Sequence, residues 1–305
     1  MIYVFGSINF DLTIFVDRFP EIGETIKGDS IFLTLGGKGA NQAISVKKLN
    51  GDVLFIGKLG DDYFGKYLLN TLNFFGLKYE IKIEKGVNSG IAIINVDKNG
   101  KNKIVIYEGA NGKVGDDELI LLKDKIKKDD ILLLQGEIPI KTIHMSAKIA
   151  KENGTIVIFD PAPAKKDFLE IIPYVDYLTP NESELEILTE NINNFEDKIE
   201  FLLSKGVNSI IAKLGERGCY YKDKSGLEYK VPAYKVNAID TTAAGDIFNG
   251  AFAVAIQKNC DIFYSLKFAN AAAAISVTRK GASVSCPEYN EVIKFMEEYD
   301  EKSNN

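Results

Sequence analysis

Six short apolar runs rich in β-branched residues, at 2–5, 53–56, 131–134, 155–159, 174–178 and 209–212, punctuate the 305-residue chain. Between them lie segments of helical periodicity, clearest at 40–49, 64–75, 140–152 and 198–204. Strand and helix in alternation leave few topologies open. The pattern predicts an α/β fold with a central, mostly parallel sheet flanked by helices on both faces. Composition permits it, since 46% of the residues are hydrophobic and can build a substantial core.

Two segments break the rhythm. Residues 12–37 contain strand-like runs and no convincing helix, and residues 89–111 read as a hairpin through Asn99-Gly100, a strong turn signal. Neither is an ordinary crossover. Together they predict a small second β-sheet that covers a site as a lid or binds a second subunit. The expected division is an α/β body of residues 1–11, 38–88 and 112–305, with a discontinuous lid of 12–37 and 89–111. The acidic stretch after Glu297 is expected to be a frayed helix end.

The acidic balance, −6 at pH 7, argues against a nucleic-acid binder, which needs a basic face for phosphates. Cys219, Cys260 and Cys286 are far apart and odd in number, and no Cys-x-x-Cys pair occurs, so neither a disulfide framework nor a zinc site is expected. His144, the single histidine, has no second histidine or nearby cysteine with which to share a metal and is read as a helix-surface residue. No stretch is long and uncharged enough to span a bilayer. The opening "MIYVFGSINFD" enters a strand pattern without a basic leader, so a cytoplasmic protein is expected and the sequons at Asn153 and Asn181 carry no weight.

In open parallel sheets ligands bind beyond the carboxyl ends of the strands. The segments just past the predicted strands are polar: "GSINFD" with Asn9 and Asp11 two apart, "QGE" ending in Glu137, "DPAPA", "TPNESE" with Asn181 and Glu184 three apart, and "KLGERG". Any one of these is more often a helix cap than a ligand; their repetition at one sheet edge argues for a shared polar crevice. "LGGKGANQA" adds glycines at 36, 37 and 39 that permit close backbone approach, with Asn41 in the first helical turn. It is neither a Walker loop nor a dinucleotide fingerprint, which disfavours a nicotinamide-dependent oxidoreductase.

The stretch "DTTAAGDIFNGAF" carries the sharpest chemistry. It comes after another strand-like run, 234–239, and opens a helix that is apolar nearly all round from 247 to 256, as a buried helix should be. Small side chains at Ala243, Ala244 and Gly245 leave main-chain N–H groups uncovered at the positive end of the helix dipole, an anion hole beside the carboxylate of Asp246. That pairing suits phosphoryl transfer, with Asp246 as base and Asn181 and Glu184 helping to hold Mg²⁺ and nucleotide phosphates.

The pieces "GSINFD", "GGKGANQA", "DPAPA", "TPNESE", "KLGERG", "DTTAAGDIFNG" and "AAAAISVTRKGA", in that order, resemble the ribokinase family of sugar kinases over nearly the whole chain. The resemblance implies transfer of the ATP γ-phosphoryl group to O5 of D-ribose. It places sugar-binding positions at Asn9, Asp11, Gly37, Lys38, Asn41 and Glu137, with Asp246 as the base. Nucleotide positions fall on Asn181, Lys213, Leu214, Gly215, Glu216, Arg217, Gly218, Gly245 and Asn270, and Glu184 is linked to Mg²⁺. A monovalent-cation site, normally potassium, falls on Asp240, Thr242, Ser276, Arg279, Gly281 and Ser285. The family's lid also makes its usual dimer contact.

Two positions depart from the family pattern. Ile247 replaces the usual threonine and is expected to face away from the crevice, and Lys213 replaces a common threonine, pointing either to nucleotide phosphates or to solvent. The remaining alternatives are a kinase of deoxyribose, another pentose or a nucleoside, and a sugar sensor without catalysis.

Overall fold

The computed structural model describes residues 1–303 and contains two sheets. The larger has nine strands in the order β13 (Glu228–Val231), β12 (Cys219–Asp223), β11 (Ser209–Lys213), β10 (Tyr177–Leu178), β9 (Ile156–Asp160), β8 (Ile131–Gln135), β1 (Ile2–Phe5), β4 (Val53–Gly60) and β5 (Tyr79–Glu84). From β11 to β5 every neighbouring pair is parallel; β12 alone runs the other way, pairing antiparallel with both β11 and β13.

Alternate residues of each central strand enter two different cores, which is why these runs are continuously apolar. Ile2, Val4, Ile131 and Leu133 face one side, where α1 (Lys38–Lys48), α2 (Tyr63–Phe74), α7 (Ala244–Gln257), α8 (Ile262–Ser276) and α9 (Tyr289–Ser303) pack. Tyr3, Phe5, Leu132 and Leu134 face the other, covered by α3 (Asp116–Lys125), α4 (Ile140–Glu152), α5 (Glu182–Leu188) and α6 (Phe195–Ser204). His144, on α4, is half-buried with its ring 5.3 Å from that of Tyr174.

The smaller sheet has the order β3 (Ser30–Gly36), β2 (Asn9–Val16), β6 (Gly90–Asp97) and β7 (Asn102–Tyr107), the last two joined through Gly100 in the left-handed region. The two irregular segments therefore do build one sheet. Its β2 starts at Asn9, so Asn9 and Asp11 lie on a strand of that sheet and not in a loop after β1.

Two expectations need correction. The run 234–239 belongs to no strand, because it crosses from β13 to α7 as irregular chain. The strand expected at 174–178 shrinks to Tyr177–Leu178, since Ile172–Tyr174 forms a 3₁₀ turn with Pro173 in its opening positions. The helix end expected after Glu297 is there, with α9 running through Ser303, while residues 304–305 lie outside the described residues.

Sheet order locates the crevice. From β1 the chain builds outward to β4 and β5, then returns to place β8, β9, β10 and β11 on the opposite side. Strand order thus reverses between β1 and β8. The loops leaving these two strands diverge there and open the gap in which doubly wound sheets bind ligands.

Candidate active site

The segments after β1 and β8 meet at that gap. Glu137, just beyond β8, accepts hydrogen bonds from Ser7 Oγ at 2.5 Å and from the main-chain N–H of Lys38 at 2.9 Å. The second bond clamps the start of α1, whose preceding residue Gly37 has φ 86°; a Cβ there would lie 2.8 Å from the nitrogen of Asn9. Both facts demand glycine.

Helices α1 and α7 then cross closely, bringing Asn41 and Gln42 onto Asp246 from more than two hundred residues away. Asn41 Nδ2 donates to Asp246 Oδ2 at 3.1 Å, and Gln42 Nε2 donates to Asp246 Oδ1 at 3.2 Å. Lys38 Nζ stands 4.0 Å from the same carboxylate. Burial raises the Asp246 carboxyl above its ordinary range; Lys38 and Gln42 pull it back, and Asp160 and Glu137 push it up. Burial likewise works against the charge of Lys38, but Asp246, Asp160 and Glu137 outweigh it and hold the ammonium charged.

Across the gap Asp11 is pushed up to about 7, chiefly by burial and then by repulsion from Glu137 and Asp246. Two buried oxygens here have no partner among the described residues, Asp11 Oδ1 and Asn41 Oδ1. Buried acceptors are normally satisfied, so this pair marks places where a polar ligand completes the network. Asn9 Oδ1 accepts from Asn111 Nδ2 at 2.7 Å, and Asn111 also bonds the main chain of Ile8 in both directions. Sequence reasoning misses Asn111, because "EGANG" carries no motif and only the folded lid places it beside β2.

At the start of α7, Ala243 adopts φ 60°, ψ 9° with no side-chain cap. A left-handed non-glycine residue costs on the order of 1–3 kcal/mol and clusters at functional sites. Of the small residues here, Ala244 uses its N–H in a turn to the Thr241 carbonyl at 3.2 Å. No acceptor among the described residues bonds the N–H groups of Ala243, Gly245 and Asp246, so of the three donors expected for the anion hole Ala244 alone is committed elsewhere. Ile247 faces the apolar core, fully buried.

The end of β11 approaches from the other side. Lys213 bridges to Asn181, and its N–H donates to the Pro180 carbonyl at 2.8 Å. Asn181 caps α5 by accepting from the N–H of Glu184 at 2.8 Å, while Glu184 accepts from the Asn181 N–H at 2.8 Å. These two residues form a reciprocal capping box, so the local structural role is real whatever else they bind. Burial raises the Glu184 carboxyl, which Lys213 opposes and Asp160 reinforces.

Lys213 does not point to solvent. Its Nζ donates to Asp160 Oδ1 at 2.9 Å, and Asp160, the first residue of "DPAPA" though not among the expected site residues, also accepts from Gln42. Residues Leu214 to Gly218 form a tight turn closed by a 2.8 Å bond from Leu214 N to Gly218 O, with Glu216 exposed and Arg217 paired with Glu182. A cleft of about 570 Å³ borders this turn, lined by Leu214, Arg217, Cys219 and Val231 among others. Asn270 on α8 ties into its wall through Val231 O at 3.3 Å. None of the residues around Asp246 lines this cleft.

Behind α7, Asp240 accepts from the N–H groups of Thr242 and Gly281, both at 2.9 Å. These bonds join the 240–242 turn to the segment containing Ser276, Arg279 and Ser285. Arg279 turns its guanidinium to Glu291 and its N–H to Ser276 O. Among the described residues no group of three or more His, Cys, Asp or Glu could hold a metal ion by itself.

The chain is similar to known proteins over nearly its whole length. The chain is 38% identical to a ribokinase of Lactococcus lactis over 97% of its own length and 96% of the relative's. It is 35% identical to a deoxyribokinase of Salmonella typhi, over 97% and 99%. Among solved structures, ribokinase from Thermotoga maritima superposes with a TM-score of 0.87 at 41% identity, covering 97% and 99% of the two chains. Arabidopsis thaliana ribokinase, solved with ribose and ATP, matches at 0.87 and 32%, covering 97% and 98%. The model of the pfkB family carbohydrate kinases matches residues 1–288, and with these relatives at full length the chain belongs to that family.

Proposed function

We propose that the protein transfers the γ-phosphoryl group of ATP to O5 of D-ribose. The observation that carries this reading is the buried carboxylate of Asp246 beside free main-chain N–H groups at the start of α7. Asp246 accepts the proton of the sugar hydroxyl as its oxygen bonds to the γ-phosphorus. The bond from that phosphorus to the β,γ-bridging oxygen breaks, and ADP leaves with the electron pair. The N–H groups of Gly245 and Asp246 hold charge on the migrating group, where preorganised donors act most strongly.

The sugar's vicinal hydroxyls meet Asn9, Asp11, Lys38, Asn41 and Glu137, and the unpartnered oxygens of Asp11 and Asn41 are acceptors waiting for them. The lid sheet excludes water, which would otherwise compete for the phosphoryl group. On the nucleotide side Asn181, Lys213 to Gly218, Gly245 and Asn270 line the approach.

Mg²⁺ neutralises phosphate charge when bound with the nucleotide. Glu184 would help hold it, through water, since Mg²⁺ prefers one or two carboxylates together with phosphate oxygens and keeps several waters. The carboxylate, hydroxyl and carbonyl oxygens of Asp240, Thr242, Ser276, Arg279, Gly281 and Ser285 are the hard donors an alkali cation takes, and potassium there would stiffen the anion hole without touching substrate. The exposed apolar lid suits a homodimer, and ATP chemistry suits the cytoplasm.

A specific reason favours a second reading: a deoxyribokinase matches over as much of the chain as the ribokinases do, and nearly as closely in identity. The test is ADP release from Mg-ATP, in potassium and in sodium, with D-ribose, 2-deoxyribose, fructose and adenosine as acceptors. Turnover that depends on ribose and is faster in potassium is the expected result. Preference for 2-deoxyribose moves the reading to its neighbour; no turnover with any acceptor overturns it.

A further inference from the structure

Lys213 and Asp160 end adjacent parts of the sheet, β11 and β9, and their side chains meet at 2.9 Å over the start of α7. The ammonium is held from one direction only. Of its three N–H donors, the one bonded to an acceptor among the described residues goes to Asp160. The same Nζ lies 3.4 Å from the point where a Cβ would stand on Gly245. An anion held by the free N–H groups of Gly245 and Asp246 is therefore within reach of it.

Asp160 itself cannot swing away. It is 1% exposed, and its second oxygen accepts from Gln42 Nε2 at 3.1 Å. That nitrogen also donates to Asp246, and Gln135 Nε2 fixes the Gln42 amide by donating to its oxygen at 2.8 Å. One buried carboxylate thus orders both the cation and, through Gln42, the base.

The charge balance gives the cation a purpose. Carboxylates of Asp11, Glu137, Asp160, Glu184 and Asp246 surround the gap, and the lysines facing them are Lys38 and Lys213. Lys38 stands on α1, beside the sugar positions. A polyphosphate entering so acidic a crevice needs positive charge on its own side, and Lys213 is placed to supply it.

We propose that Lys213 is a catalytic residue that donates to the transferring phosphoryl group, with Asp160 as the residue that positions it. The inference deepens the kinase reading and rests on it.

The experiment is steady-state kinetics of the full chain with Lys213→Met, Lys213→Arg, Asp160→Asn and the Met–Asn double variant, with Asp246→Asn run in parallel. Lys213→Met is expected to lower kcat by about 10²-fold, the usual loss for one preorganised donor, while the sugar KM stays within about twofold. Lys213→Arg, which keeps the charge, should recover about tenfold of that loss. Asp160→Asn should cost clearly less in the Met background than in the wild type, because the part of its effect that passes through the lysine is already lost there and only the part through Gln42 remains.

A Lys213→Met enzyme within about threefold of wild-type kcat overturns the proposal, and so does an Asp160→Asn effect that is fully additive. Equilibrium binding gives a readout without turnover: Lys213→Met should weaken ATP by about tenfold and leave adenosine unchanged. Equal effects on both ligands mean a structural lysine and also overturn it. Should the Met variant fail to fold, Lys213→Gln is measured in its place under the same criteria. Failure of the underlying reading looks different, since wild-type protein would then release no ADP, or Asp246→Asn would remain active.

Discussion

Asp246 and Asp11 are carboxyl groups raised by the same cause, burial, yet they serve different ends. Asp246 is held by Asn41 and Gln42, one on each oxygen, and the unpartnered Oδ1 of Asn41 lets that amide turn over to accept from an asparagine, so the geometry survives removal of the basicity. Asp246→Asn is expected to fold and to bind sugar and nucleotide, with kcat lower by ~10²–10⁴-fold; burst and steady-state assays against ligand-binding titrations check this. Asp11 carries a cost that shows in stability. Its carboxyl rises from 3.8 to about 7 on folding. Between those values the folded chain holds a proton that the unfolded chain releases, so stability falls as pH climbs from about 4 to about 7, and the loss is complete above that. Asp11→Asn should therefore stabilise the ligand-free protein more at pH 8 than at pH 5, by on the order of 2 kcal/mol. Thermal melts of both proteins at the two pH values test this, and a gap that does not widen at pH 8 refutes it. The price in function is expected as a higher sugar KM, since Asp11 Oδ1 is a free acceptor.

At the scale of elements, the site depends on how closely α1 and α7 cross. Gly250 lies one turn beyond Asp246 on the same helical face, and a Cβ there would fall 2.6 Å from Ser45 Cβ and 3.1 Å from Gln42 O. Ser45 is one turn beyond Gln42. The same contact that lets the helices touch therefore brings Asn41 and Gln42 within bonding distance of the base. Gly250→Ala is expected to force the helices apart, costing ~1–3 kcal/mol of stability by overpacking and lowering kcat as the two hydrogen bonds to Asp246 lengthen. Denaturant melts and kinetics measure the two effects together; unchanged kcat in a destabilised protein would separate crossing distance from catalysis.

For the whole molecule, the lid is the part whose surface makes least sense in isolation. Every residue of β7 is exposed, including Ile104, Val105 and Ile106, and Ile31, Phe32 and Leu33 of β3 are exposed as well. Apolar area on this scale, on a sheet with two open edges, is normally covered. Val105→Lys is expected to shift the protein from dimer to monomer in analytical ultracentrifugation while the Tm of the α/β body changes by no more than about 2 °C. A wild-type protein that sediments as a monomer at micromolar concentration would refute the dimer directly.

How much of this was written in the sequence differs from part to part. Periodicity revealed the α/β body, because β8 and β1 are apolar on both faces and α7 is apolar all round, patterns that only a doubly covered sheet satisfies. The turn at Gly100 revealed the hairpin, and "DTTAAGD" pointed to the helix start at which Asp246 is buried. The short strand at Tyr177–Leu178 and the irregular 234–239 were not legible, since local propensity there is overruled by neighbouring chain. Asn111 was illegible as a site residue, and for Asp160 and Gln42, which lie inside quoted motifs, the role was illegible, for one physical reason: each is a polar residue whose partner is remote in sequence. The direction of Lys213 was the clearest case. The sequence left it free to face solvent or phosphate, and only the packing of β9 beside β10 and β11 set Asp160 2.9 Å from its ammonium. The sequence alone determined which chemical groups were available and on which kind of element each would sit; the tertiary structure decided which of them meet, because close approach of distant charges depends on strand order and helix crossing, and neither is a local property.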